Sequence, residues 1–132
     1  DSRRVQMTTY SSYEIFEDKN SYHGVLEMAG ATVHAFQDFG SYQGDWLAKV
    51  TYNGVTGWIK DSYGSCSGCD SFESESGYEQ RTKNEWKEFS IKFCKDYLED
   101  IRTYEDMLKM CSENLDWDME AKDMIKFLEE NK

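Results

Sequence analysis

Asn53-Gly54 constrains this chain more than any other pair of residues. Both central residues of a type I′ turn need positive φ, which asparagine tolerates and glycine adopts freely. The two-residue loop so formed joins antiparallel strands and matches their twist. Trp46 to Tyr52 and Val55 to Lys60 flank the turn with strand-forming residues. The turn also sets the register, pairing Tyr52 with Val55, Val50 with Gly57 and Ala48 with Ile59. Trp46, Ala48, Val50, Tyr52, Val55 and Ile59 then share one face, and Leu47, Lys49, Thr51, Thr56, Trp58 and Lys60 the other.

Upstream, Ala31 to Asp38 alternates Val33 and Ala35 with Thr32 and His34, as a third strand would. The loop Phe39 to Asp45 joins it to the hairpin. Ser21 to Ala29 spaces Tyr22, Val25, Leu26 and Ala29 three and four apart, and Gly30 supplies a helix stop. Thr8 to Asn20 is too short in pattern to assign. A three-stranded meander with one apolar face needs a cover.

The second half can provide that cover. Trp86, Phe89, Phe93 and Tyr97 form a helical stripe, widened by Cys94, Leu98 and Ile101. Thr103 is placed to cap a following helix that carries Tyr104, Met107, Leu108 and Cys111 on one side. Asp116 is the expected cap of a last helix bearing Met119, Ile125 and Leu128. The expected architecture is α+β: a three-stranded antiparallel meander over residues 31–60, packed against helices within 79–130. One domain spans residues 1–132. Met7 is a candidate native start, and residues 1–6 are expected to be a remnant or unstructured.

Charge narrows the functional classes. The net charge is -11, with 26 acidic and 15 basic side chains. Residues 1–60 hold five basic and seven acidic residues, and residues 61–132 hold ten and nineteen. So anionic a chain repels a phosphate backbone, which argues against nucleic-acid binding. It suits a basic partner, although solvated helix faces explain acids equally well. No apolar run approaches the roughly 20 residues of a membrane helix, and no signal peptide is expected at the start.

The stretch Tyr63-Gly64-Ser65-Cys66-Ser67-Gly68-Cys69-Asp70 carries the most specific chemistry. Two cysteines separated by two residues, with a glycine between them, form a knuckle that points two thiolates at one ion. Cys94 lies eight residues before Arg102 and Cys111 nine after it. Helices turning back at Arg102-Thr103 would bring these two side by side. The expectation is a closed tetrahedral zinc site of Cys66, Cys69, Cys94 and Cys111, structural because no position stays open. His23, His34 and Asp70 are alternative ligands. Buried inert thiols at Cys94 and Cys111, or disulfides, are the competing readings. Thiol redox chemistry at Cys66 and Cys69 is another, disfavoured by the Ser-Gly spacer and a chain without proline.

The chain has no H-E-x-x-H, no phosphate-binding glycine loop and no G-x-S-x-G elbow. We assign no catalytic residue and expect no enzymatic activity.

Gly40-Ser41-Tyr42-Gln43-Gly44-Asp45-Trp46, the Tyr52-Asn53-Gly54 hairpin, the Tyr63 to Asp70 string and Asn114-Leu115-Asp116-Trp117 together resemble a group of small phage and prophage proteins. The likeness covers roughly residues 20 to 120, and the Tyr63 to Asp70 string is its specific part. Members carry a further cysteine soon after the knuckle, where this chain has Ser74 and Glu75. Within such proteins the chain looks most like the zinc-containing anti-CRISPR inhibitors of type II effector nucleases. The resemblance implies a structural zinc, a place in the host bacterial cytoplasm, and inhibition of an RNA-guided nuclease by blocking guide or target-DNA loading. An anionic face could compete for the positively charged channel of such a nuclease. The expected contacts are Glu99, Asp100, Glu105, Asp106, Glu113, Asp118, Glu120 and Asp123. A host-interaction or regulatory zinc module unrelated to CRISPR is the alternative, with Tyr42, Trp58 and Tyr63 as anchors.

Overall fold

The computed structural model describes residues 8–17, 19–64, 70–113 and 120–132. In chain order these form α1 (Ser12–Ile15), α2 (Ser21–Met28), β1 (Thr32–Gly40), β2 (Gly44–Tyr52), β3 (Val55–Tyr63), α3 (Ser71–Ser76), α4 (Lys83–Glu99), α5 (Tyr104–Ser112) and α6 (Ala121–Glu130). The expected Asp116 cap and Met119 lie outside the described residues. Here α6 begins after Glu120, which makes no side-chain cap bond.

The strands form an antiparallel meander in the order β1-β2-β3. The register is the expected one: Tyr52 opposes Val55, Val50 opposes Gly57 and Ala48 opposes Ile59. Asn53 (φ 49°) and Gly54 (φ 79°) both take positive φ, as a type I′ turn requires. The β1–β2 connection is tighter than expected, because the strands continue to Gly40 and resume at Gly44. The expected alternation in β1 also fails. His34 is an extra residue between the paired Val33 and Ala35, a bulge that lets Phe36 instead of Ala35 follow Val33 into the core.

Both sheet faces are covered, where one was expected. Trp46, Ala48, Val50 and Ile59 enter a core built with α2, α4 and Phe72. Leu47 and Trp58 enter a second core with Phe39, α5 and α6. Since neighbouring strand residues point to opposite faces, Trp46, Leu47 and Ala48 are all fully buried. The aromatic stripe of α4 forms as expected: Trp86, Phe89, Phe93 and Tyr97 run in ring contact, with successive centroids 5.4 to 5.9 Å apart. Thr82 and Glu85 close a capping box at its start, and Thr103 caps α5 by accepting from the Asp106 amide.

Between α4 and α5 the chain crosses from one face to the other. It passes along the edge of β3, where the Trp58 N–H donates to the Arg102 carbonyl at 2.8 Å and the Arg102 N–H donates back at 2.9 Å. Gly57 makes room for this passage. A Cβ there would fall 2.4 Å from the Arg102 carbonyl oxygen and 2.7 Å from Ile101. The helices therefore do not turn back on one another at Arg102.

Candidate functional site

Asp70 is the clasp of the segment that the sequence singles out. It precedes α3 in an extended conformation and is 6% exposed. Its Oδ2 accepts from the Glu73 amide at 2.9 Å, capping α3. Its Oδ1 accepts from the Gly64 amide at 3.0 Å and the Tyr22 hydroxyl at 2.8 Å. One carboxylate thus ties the end of β3 to the start of α3 and both to α2. Both carboxylate oxygens of Asp70 are engaged in holding the fold. Burial, chiefly, raises the Tyr22 phenol above its ordinary value and keeps it a donor. Nearby, Tyr97 donates a short hydrogen bond to Asp61 and is likewise raised, first by burial.

Cys66 and Cys69 lie outside the described residues. Cys94 and Cys111 are described, and both are fully buried. Cys94 belongs to the core beneath α2 and α4, and Cys111 to the core beneath α5 and α6. The sheet stands between them. The structure does not bring this pair together: crossing the β3 edge places Cys94 and Cys111 in separate cores, where a helical hairpin would have joined them. Burial also pushes the Cys94 thiol up to about 12, so it is protonated at neutral pH.

The alternative ligands are spread apart as well. His23 stacks on Phe36 at 5.1 Å, and its Nε2 lies 3.1 Å from Glu27. His34 sits at the β1 bulge with Nε2 2.7 Å from the Thr51 hydroxyl. Among the described residues, no group of three or more histidine, cysteine or acidic side chains is arranged to hold a metal ion.

The acidic residues fall into two classes. Glu105 and Asp106 occupy the first turn of α5 and Asp123 the first turn of α6. There the positive helix end stabilises them, and the fold alone explains them. Glu99 is the last residue of α4, Asp100 its C-cap and Glu113 the C-cap of α5. At those ends a carboxylate is unfavourable, by about 0.3–1 kcal/mol at an exposed site. Asp100 reaches Arg102 at 3.3 Å, whereas Glu99 and Glu113 are exposed with no cation in ion-pair range among the described residues. Glu120 is half-buried and contributes, with Asp38 and Asp45, to the field that raises the Tyr63 phenol after desolvation. Asp118 lies outside the described residues. The seven described acids do not share one helix face, because α4 and α5 cover opposite sides of the sheet.

Of the expected aromatic anchors, Trp58 is a core residue at 1% exposure. The Tyr63 hydroxyl donates to the Phe39 carbonyl at 2.9 Å. Only Tyr42, at the β1–β2 turn, stands out from the surface, at 82% exposure.

Sequence reasoning missed a cleft of about 150 Å³ beside the Asp70 clasp, lined by Tyr13, Tyr22, Tyr63, Tyr78, Asp70 and Glu73. These residues come from four separate elements and the turn after α3, so no local spacing could have revealed it. No family model, curated protein or solved structure matches the chain in comparison. Among the described residues, no helix is long and apolar enough to cross a membrane.

Proposed function

We propose that this chain is a non-enzymatic binding protein that occupies a basic surface on a protein partner. Following the resemblance of its Tyr63 to Asp70 string, we take that partner to be a type II RNA-guided effector nuclease. The observation that carries the reading is the placement of Glu99 and Glu113. Each stands exposed at a helix end that disfavours it, with no cation in ion-pair range among the described residues, so neither capping nor any ion pair described there accounts for it. A carboxylate that costs the fold something is accounted for when a basic partner supplies the missing charge. The nuclease holds its heteroduplex in a positively charged channel, and an anionic body lodged there competes with nucleic acid.

The double variant E99K/E113K tests the reading cleanly, because lysine suits both helix ends better than glutamate does. The expected result is unchanged or higher thermal stability together with at least tenfold weaker nuclease binding and inhibition. The wild-type affinity should fall steeply with salt. Equal affinity of variant and wild type at low salt would overturn the proposal.

A further inference from the structure

The cleft beside Asp70 has the composition of a receptor for one planar cation. Its volume of about 150 Å³ equals that of about five liquid waters, below the range of small-molecule sites and close to the head of one side chain. Four tyrosines line it, and two of them are otherwise unused by the core: Tyr13 is 78% exposed and Tyr78 is 60% exposed. Glu73 also lines it. Its Oε2 is sealed from solvent and has no hydrogen-bond partner among the described residues, whereas the neighbouring Asp70 carboxylate accepts three hydrogen bonds.

The electrostatics of the surroundings point the same way. Residues 61–80 include five acids and no lysine or arginine. Tyr78 follows Gly77, and both take left-handed backbone (φ 58° and 63°), a conformation uncommon for a bulky residue. The Tyr78 phenol is raised by desolvation first, then by the Glu73 charge and by its side-chain hydrogen bond to Glu73, so the ring stays neutral.

We propose that this cleft binds an arginine side chain of the partner, the guanidinium pairing with Glu73 and packing against Tyr13 and Tyr78. A guanidinium is flat, weakly hydrated and rich in donors, so it matches a free carboxylate oxygen among aromatic rings better than a compact ammonium does. The proposal rests on the reading that the partner is basic, and names the residue type that the chain would hold.

The test uses the full chain and two capped single residues, acetyl-Arg-NHMe and acetyl-Lys-NHMe, followed by amide chemical shifts. The arginine probe should give saturable shifts at Tyr13, Glu73 and Tyr78, with the lysine probe at least threefold weaker. E73Q and Y13A should each weaken the arginine probe at least fivefold. Y13A replaces an exposed residue with a good helix former, so it keeps the test decisive if E73Q fails to fold. E99K/E113K should bind the arginine probe as wild type does, which separates failure at the cleft from failure of the wider anionic reading. Absence of saturation, equal binding of the two probes, or full binding by Y13A would each overturn the proposal.

Discussion

Trp58 and Arg102 exchange both of their backbone hydrogen bonds across the outer edge of β3, at 2.8 and 2.9 Å. This single-residue bridge holds the Ile101-Arg102 segment against β3 where a helical hairpin could have formed. It sends α4 to one face and α5 to the other, and so decides that Cys94 and Cys111 never meet.

The passage depends on Gly57. In G57A the added Cβ would press on backbone, which cannot rotate away as a side chain can. We expect a loss of about 1–3 kcal/mol, the usual range for overpacking. Urea unfolding would show it as a lower midpoint with an unchanged slope. A midpoint equal to wild type would mean that the edge pairing yields freely.

Cys94 and Cys111 should behave as inert thiols. In C66S/C69S, a thiol reagent at mildly alkaline pH should label neither remaining cysteine in the folded protein and both in denaturant. For Cys94 the sign of the linkage follows from its raised folded value. Its contribution is complete below the ordinary thiol range near 8.5 and is lost as pH rises toward about 12. Rapid labelling of the native double variant would contradict the burial.

Zinc, which the resemblance implies, is proposed only for the Cys66 and Cys69 pair. Metal content of protein purified without added zinc should be unaffected by C94A/C111A and abolished by C66S. If C94A/C111A removes the metal, those sulfurs do reach it and the two-core description fails.

Asp70 should be among the most sensitive polar residues. D70A removes a helix cap, leaves the Gly64 amide without its acceptor and leaves the Tyr22 hydroxyl only the longer contact to Ser71 at 3.3 Å. We expect a loss of about 3 kcal/mol, against about 1 kcal/mol for Y22F, which removes one of the three donors to Asp70 and the hydroxyl that accepts from the Phe72 amide. Equal losses in the two variants would show that the clasp does not hold three elements.

His23 gives the fold a weak acid sensitivity. Burial holds it below its ordinary value, opposed by Glu27. A depressed histidine stabilises fully above its unfolded value of about 6.5 and loses that contribution as pH falls through the folded value. H23Q should therefore flatten the fall in the urea midpoint between about pH 7 and pH 5. An unchanged slope would assign the sensitivity to other groups.

Much of the sheet was legible because hairpin register is local. Asn53-Gly54 fixed it through backbone conformation alone, and the two-residue period sorted Trp46, Ala48 and Val50 from Leu47 and Trp58. The α4 stripe and the Thr103 cap were legible for the same reason. The sequence did not say that the second sheet face needed its own cover, though Leu47 and Trp58 on that face were the available signal. Nor did it show the path of the chain after Ile101. Equal spacing of Cys94 and Cys111 about Arg102 suits a hairpin and an edge crossing alike. The cleft was illegible because Tyr13, Tyr63 and Tyr78 meet only once α1, β3 and the turn after α3 are assembled.

The bulge at His34 has a bearing on solubility. The strand that carries it, β1, is the sheet's other margin among the described residues. A flat margin of nine residues would template pairing with a second molecule, and an inserted residue breaks the regular repeat that such pairing needs. A misfit of one residue thus helps this strand avoid pairing with a second copy of the chain.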